Sequence, residues 1–298
     1  MNLTRRDALR AIAATSLAAC RRSTTTSTTT TTMTTVKARG DLTVLDWSFP
    51  DQDGVPRRCV VLVPNAATHA QPMPLLIALH GMGETRDART GAYAWLESYG
   101  IDATIEALNA PVFPRAALGD FADDDYAKLL TGELAAQPYR GLVVACPFVD
   151  RGLNIHYNDW LADTLVPRLR RETPVLASAA STGIDGVSFG GLAALGAGLA
   201  RPDVFGVVGA LQPALGQDDY VAALSDSIPA QLKGRRLRLV TSTDDMFRAR
   251  IEALHASLDR ASIAHDFRVT PGPHDYAWNR GAGAVEMLAW HDRVQART

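Results

Sequence analysis

The chain has 298 residues, 47% of them hydrophobic and 21% charged, with 30 Lys and Arg against 32 Asp and Glu. This composition excludes a disordered chain, and a formal charge of -2 excludes a whole-protein electrostatic footprint for nucleic acid, so no polyanion partner is expected. Cys20, Cys59 and Cys146 are too few and too widely spaced for a disulfide framework or a structural zinc site.

Residues 1–20 have the grammar of a signal peptide: Arg5, Arg6 and Arg10, then the apolar run Ala11 to Ala19, then Cys20. That run is far shorter than the roughly 20 residues a helix needs to cross a bilayer. Thr4 to Arg10 resembles a twin-arginine export motif, with Ala8 where a large apolar residue is usual, and Leu17-Ala18-Ala19-Cys20 resembles a bacterial lipobox. The resemblance implies lipidation at Cys20 and export to the periplasm or cell surface, anchored to a bacterial membrane; the alternative is an ordinary secretory signal. Residues 21–40 are dominated by a Thr-rich tract that cannot bury enough apolar surface to order itself, and are expected to be a tether, either a functional stalk or a plain spacer.

Residues 41–298 read as one α/β domain, because apolar strand-like runs alternate with amphipathic stretches, which predicts a mostly parallel sheet with helices on both faces. Leu42 to Phe49 and Arg57 to Val63 flank the turn-rich Pro50 to Gly54 and are expected to form an antiparallel hairpin at the sheet edge. Further strands are expected at Leu75–Leu79, Leu142–Cys146, Gly183–Val187, Val207–Leu211, Leu237–Val240 and Asp266–Val269. In such sheets ligands bind beyond the carboxyl ends of the strands. The residues there are His80-Gly81-Met82-Gly83, Ser188-Phe189-Gly190-Gly191, Asp244-Asp245 and Pro271 to His274.

Gly186-Val187-Ser188-Phe189-Gly190-Gly191 fits a nucleophile elbow, a serine on a tight strand-to-helix turn kept clear by small neighbours. The bland alternative is a glycine turn that packs a helix on a strand. A serine needs a base, and His274 lies on the loop after the last expected strand, whereas His69, His156, His255, His265 and His291 are less well placed. The order serine, acid, histidine puts the acid between them, at Asp245 or at Asp244, either of which could instead cap the helix starting near Phe247. The amides of Phe189 and Met82 are the expected donors to an oxyanion.

Together these residues resemble the α/β-hydrolase superfamily, and within it the branch of esterase D-like enzymes, feruloyl and acetyl xylan esterases and mycolyltransferases. Trp160 to Pro167, the elbow, Arg201 to Phe205 and His274 to Trp278 carry that likeness. It implies Ser188 as nucleophile, Asp245 as acid, His274 as base, and Met82 and Phe189 as oxyanion donors. It implies a carboxylesterase acting through an acyl-serine on a small or carbohydrate-linked ester, with no metal or organic cofactor. The rivals are an acyltransferase or peptidase with the same triad, and a surface binding protein without turnover. The long connection 84–140 is either a lid or a surface elaboration, and Trp95, Tyr99, Phe113, Phe121, Tyr276 and Trp278 either wall a pocket or simply pack. In the strand order of that fold Cys59 and Cys146 lie on neighbouring strands, as a disulfide or as two small buried hydrophobes. Oligomeric state is not legible.

Overall fold

The computed structural model describes residues 33–52, 55–152, 155–216 and 235–298. The expected signal peptide, Cys20 and most of the expected tether lie outside the described residues. Strands β1 (Met33–Arg39), β2 (Leu42–Gln52), β3 (Val55–Pro64), β4 (Leu75–Leu79), β5 (Val143–Pro147), β6 (Thr182–Gly186), β7 (Val207–Leu211), β8 (Arg236–Asp244) and β9 (Asp266–Pro273) form one sheet. Their spatial order is β1-β2-β3-β5-β4-β6-β7-β8-β9. Pairing is antiparallel from β1 through β3 to β5 and parallel from β5 to β9. This is the α/β-hydrolase class of fold, a mostly parallel sheet with an antiparallel N-terminal hairpin.

Every residue of β4, β5, β6 and β7 is buried, as expected of strands covered on both faces. Alternation along them feeds two cores. Leu75, Ile77 and Leu79 join one with α4 (Ile155–Trp160), α5 (Val166–Glu172), α6 (Phe189–Ala200) and α7 (Arg248–Arg260), while Leu76 and Ala78 join the other. The second core is roofed by α1 (Ala88–Ala92), α2 (Ile101–Asn109), α3 (Asp124–Ala136) and the C-terminal α9 (Ala284–Val294), with the three-residue α8 (Tyr276–Trp278) between β9 and α9. The long connection is therefore built largely from packed helices: Tyr93, Trp95, Ile101, Ile105, Tyr126 and Leu130 are buried. Helix α9 also supplies polar partners to the sheet. Fully buried Glu286 binds Arg238 of β8, and its Oε1 lies 2.8 Å from Arg268 of β9 and from the Tyr126 hydroxyl of α3. His291 meets Asp185 of β6 at 3.1 Å. Among the described residues no helix is long and apolar enough to cross a membrane.

One expectation needs correction. The tether was expected to reach residue 40, but Met33–Arg39 forms β1, an edge strand held by antiparallel pairing with β2. Ladder hydrogen bonds need only backbone, and β-branched Thr and Val tolerate the extended chain, so Thr-rich composition does not prevent it. Of the two readings left open for the cysteines, the structure bears out the pair of small buried hydrophobes. They do lie on neighbouring strands, with Cys59 opposite Pro147 and Val60 opposite Cys146, but both are free and buried. Successive side chains point to opposite faces, so Cys59 packs in the first core and Cys146 in the second, where no disulfide can join them.

Candidate active site

Three parallel strands, β6, β8 and β9, end at the same edge of the sheet and deliver the site. β6 leads into Ser188, which adopts φ 57° and ψ -116°, a left-handed conformation that a non-glycine residue holds only when its surroundings impose it. Here the Ser188 N–H donates to Leu211 O at the end of β7 (2.9 Å), and the Ser188 carbonyl accepts from Leu192 N–H (3.1 Å) and Ala214 N–H (2.9 Å). Glycine is required at position 190, where a Cβ would stand 2.4 Å from Leu79 O and 2.5 Å from His80 O. At Gly186 a Cβ would stand 2.6 Å from the Gly190 carbonyl carbon.

The loop after β9 places His274 Nε2 2.9 Å from Ser188 Oγ and His274 Nδ1 2.8 Å from Asp245 Oδ1. A carboxylate only accepts, so Nδ1 carries the proton and Nε2 turns its lone pair to the serine hydroxyl. Asp245 is buried just beyond β8; its Oδ2 accepts from Thr241 Oγ1 (2.8 Å) and its Oδ1 also accepts from Phe247 N–H (3.0 Å). It thus satisfies the backbone ahead of α7 while orienting the imidazole. Asp244 is exposed and accepts from Thr243 Oγ1, and Asp275 caps α8 through Trp278 N–H. Of the two acids left open by the sequence, only Asp245 reaches the histidine. Gln212, buried and itself at φ 42°, donates through Nε2 to Ser242 Oγ (2.6 Å) and Pro273 O (3.0 Å), bracing the histidine loop against β8.

Met82 opens a 3₁₀ turn, Met82–Glu84, and Phe189 opens α6, so both amides are first-turn donors with no helical carbonyl behind them. The strand end before Met82 is tied down by His80, whose Nδ1 donates to Gly81 O (2.8 Å) while Nε2 accepts from Val149 N–H (2.9 Å). Burial lowers the His80 pKa, which keeps the ring neutral as those two bonds require. Beneath the turn sits the buried carboxylate of Glu84. It accepts from the Tyr99 hydroxyl (2.7 Å) and from the Tyr276 hydroxyl (2.5 Å), and the Tyr99 oxygen in turn accepts from Gly81 N–H (3.1 Å). The hydrogen bond to Glu84, together with desolvation, raises the Tyr276 pKa to about 12. Burial, and then the Glu84 charge, push Tyr99 up as well. Glu84 thus ties the Met82–Glu84 turn to the histidine loop.

Neither Glu84 nor Gln212 was singled out by sequence reasoning. Glu84 follows the glycine turn by one residue, which was a weak signal; its partner Tyr276 lies 192 positions away. Of the aromatics expected either to wall a pocket or to pack, Trp95 and Trp278 are fully buried and pack. Tyr276 and Phe121 are exposed and, with Met82 and Met246, make up most of the large apolar side chains exposed among the described residues. Met246 and Tyr276 each sit within two residues of Asp245 or His274, Met82 opens the turn after β4, and Phe121 lies against Gly272 near the end of β9. Of the remaining histidines, His69 and His156 are exposed, His255 and His265 meet at the far end of β9, and His291 is buried against Asp185.

Among solved structures, a ferulic acid esterase aligns with a TM-score of 0.65 at 17% identity, covering 86% of this chain and 99% of its own. An S-formylglutathione hydrolase from Staphylococcus aureus aligns at 0.59 and 15% identity, covering 84% and 99%. A ferulic acid esterase from Anaeromyces mucronatus aligns at 0.53 and 15%, covering 85% and 93%. At such identities these likenesses show the fold. No curated protein matches the chain in sequence. The sequence profile of the Esterase family does match, over residues 54–282, a span that holds the Ser188, Asp245 and His274 cluster together with Met82 and Phe189, and the chain therefore belongs to that family of carboxylic ester hydrolases.

Proposed function

We propose that the protein is an exported serine carboxylesterase that cleaves a small or carbohydrate-linked ester through an acyl intermediate on Ser188. The observation that carries this reading is the continuous pair of hydrogen bonds from Ser188 Oγ to His274 and from His274 to Asp245, 2.9 and 2.8 Å. In the first half-reaction Ser188 Oγ bonds to the ester carbonyl carbon as its proton passes to His274 Nε2, and Asp245 stabilises the imidazolium. The carbonyl oxygen becomes an oxyanion facing the Met82 and Phe189 amides at the positive end of α6; one such donor contributes about 3 to 4 kcal/mol in comparable sites. Collapse breaks the ester C–O bond, and His274 returns its proton to the leaving alcohol. In the second half-reaction His274 takes a proton from water, the hydroxide adds to the acyl carbon, and Ser188 leaves with that proton as the acid departs.

The exposed apolar rim of Met82, Phe121, Met246 and Tyr276 favours an ester with an apolar or aromatic acyl group, and neighbours named as ferulic acid esterases make feruloyl esters the first to test. Export and anchoring rest on the resemblance of residues 1–20 to a lipoprotein signal with Cys20 as the acceptor. Fatty-acid label incorporated by the wild type and lost in Cys20→Ala supports the anchor; label retained in the variant refutes it.

The test of the chemistry is a fluorophosphonate probe with peptide mapping, combined with a panel of nitrophenyl, acetyl-sugar and feruloyl-sugar esters. Ser188 is expected to be labelled, and Ser188→Ala to lose on the order of 10⁴-fold or more in kcat/KM. Equal rates in the two proteins would remove the serine mechanism.

A further inference from the structure

At the amino end of β9, opposite the catalytic rim, three potential ligands converge. His255 and Asp259 stand one turn apart on α7, and His265 immediately precedes β9. His255 Nδ1 lies 2.7 Å from His265 Nε2; Asp259 Oδ2 lies 3.5 Å from His255 Nε2, and Asp259 Oδ1 lies 4.0 Å from His265 Nε2. One ligand atom from each residue falls within 4.8 Å of the others.

The protonation pattern is set by the backbone. His265 Nδ1 lies 2.8 Å from Ile263 O, and a carbonyl can only accept, so Nδ1 carries the proton and Nε2 is left as a lone pair. A ring nitrogen donating to a backbone carbonyl while its other nitrogen offers a lone pair is the arrangement found around metal-binding histidines. The His265 side chain is almost fully buried, and the His255 ring stacks on Phe267 at 4.0 Å and 11°, so both rings are held in place. Asp259 is exposed, which leaves the trio open to solvent on one side.

We propose that His255, Asp259 and His265 form a site for a divalent cation of the zinc class, with water as a fourth ligand, which clips the end of α7 to the start of β9. Oxygen-seeking ions such as Mg²⁺ are disfavoured by two imidazoles. Tetrahedral bonds of about 2.0 to 2.1 Å put two ligating nitrogens about 3.3 Å apart, so the rings open by roughly 0.6 Å from their present 2.7 Å contact. The cation takes the place of the proton between the rings. On a neutral His255 that proton moves to Nε2, which faces Asp259. The nine residue steps from His265 to His274 span roughly 30 Å of extended chain, so the clip is remote from Ser188 and independent of the esterase mechanism.

The test is a zinc titration of the full chain at neutral pH against a chromophoric chelator. The wild type is expected to take up one equivalent. His255→Gln and Asp259→Asn alter partly exposed side chains, so they should fold normally and bind at least ten-fold more weakly. His265→Ala should abolish uptake. Binding of Co²⁺ with the visible absorption of a tetrahedral ion would support the geometry. No uptake by the wild type, or uptake unchanged in the His255 and Asp259 variants, overturns the assignment.

Discussion

Tyr276→Phe removes one hydroxyl and probes the link between the histidine loop and the oxyanion turn. The lost contact is a hydrogen bond to the buried Glu84 carboxylate at 2.5 Å. Hydrogen bonds to charged groups contribute about 1.5 to 3 kcal/mol, and because Tyr276 is 45% exposed, water can replace part of this one. We take about 1 to 1.5 kcal/mol as the effect. At 1.36 kcal/mol per factor of ten, it corresponds to a loss of roughly 5- to 12-fold if the contact acts by aiming the Met82 amide in the transition state. The loss should fall on kcat, with KM nearly constant, because a ground-state carbonyl gains little from the oxyanion donors. A boronic acid, which forms a tetrahedral adduct with serine, should weaken by the same factor. Glu84 keeps its bond to the buried Tyr99, so the fold should survive and Ser188 should still react with a fluorophosphonate. Unchanged kcat and boronate affinity in a folded variant would refute the positioning role while leaving the triad untouched.

Asp245→Asn should cost on the order of 10³- to 10⁴-fold in kcat, as the imidazole loses its tautomer and its counter-charge, whereas Asp244→Asn should stay near wild type; equivalent effects would mean that the acid is misassigned. Gly190→Ala drives a methyl into the Leu79 and His80 carbonyl oxygens at the end of β4 and is expected to destabilise by at least about 2 kcal/mol, read as a lowered urea midpoint. Burial depresses the pKa of both His80 and His291, so the unfolded chain binds protons that the folded chain refuses. Stability should therefore fall as pH drops below about 6.5, by up to about 1.4 kcal/mol per pH unit for each histidine while its folded form stays neutral. A flat urea midpoint between pH 7 and pH 5 would contradict that assignment. After unfolding without reductant, Cys59 and Cys146 should both alkylate fully; a mass short by two labels would mean that they pair.

The parallel half of the sheet was legible because strands buried on both faces must be apolar throughout, as in Leu75 to Leu79 and Val207 to Leu211, and because turn residues end them. The grouping of Ser188, Asp245 and His274 was legible for a related reason: each follows a strand in a sheet whose strand ends line one rim. β1 was hidden because its pairing is a property of the backbone and its Thr-rich sequence continues that of the tether. Strand adjacency correctly placed Cys59 and Cys146 side by side, but the face that each occupies depends on register, and a one-residue offset separates them across the sheet. Glu84 and Gln212 were opaque because a polar residue's partners are set by tertiary contact at long sequence separation.

The placement of α9 has a consequence for biogenesis. Glu286 is the buried counter-charge of Arg238 and Arg268, and His291 is the buried partner of Asp185, three residues before Ser188. Until those last turns emerge from the ribosome, Arg238 of β8 and Asp185 of β6 lack the α9 side chains that pair with them, and Arg268 has only Glu133. Nascent chains should therefore remain loosely collapsed and protease-sensitive to the end of translation, and a stop codon even a dozen residues early should yield an unstable product despite sparing every catalytic side chain.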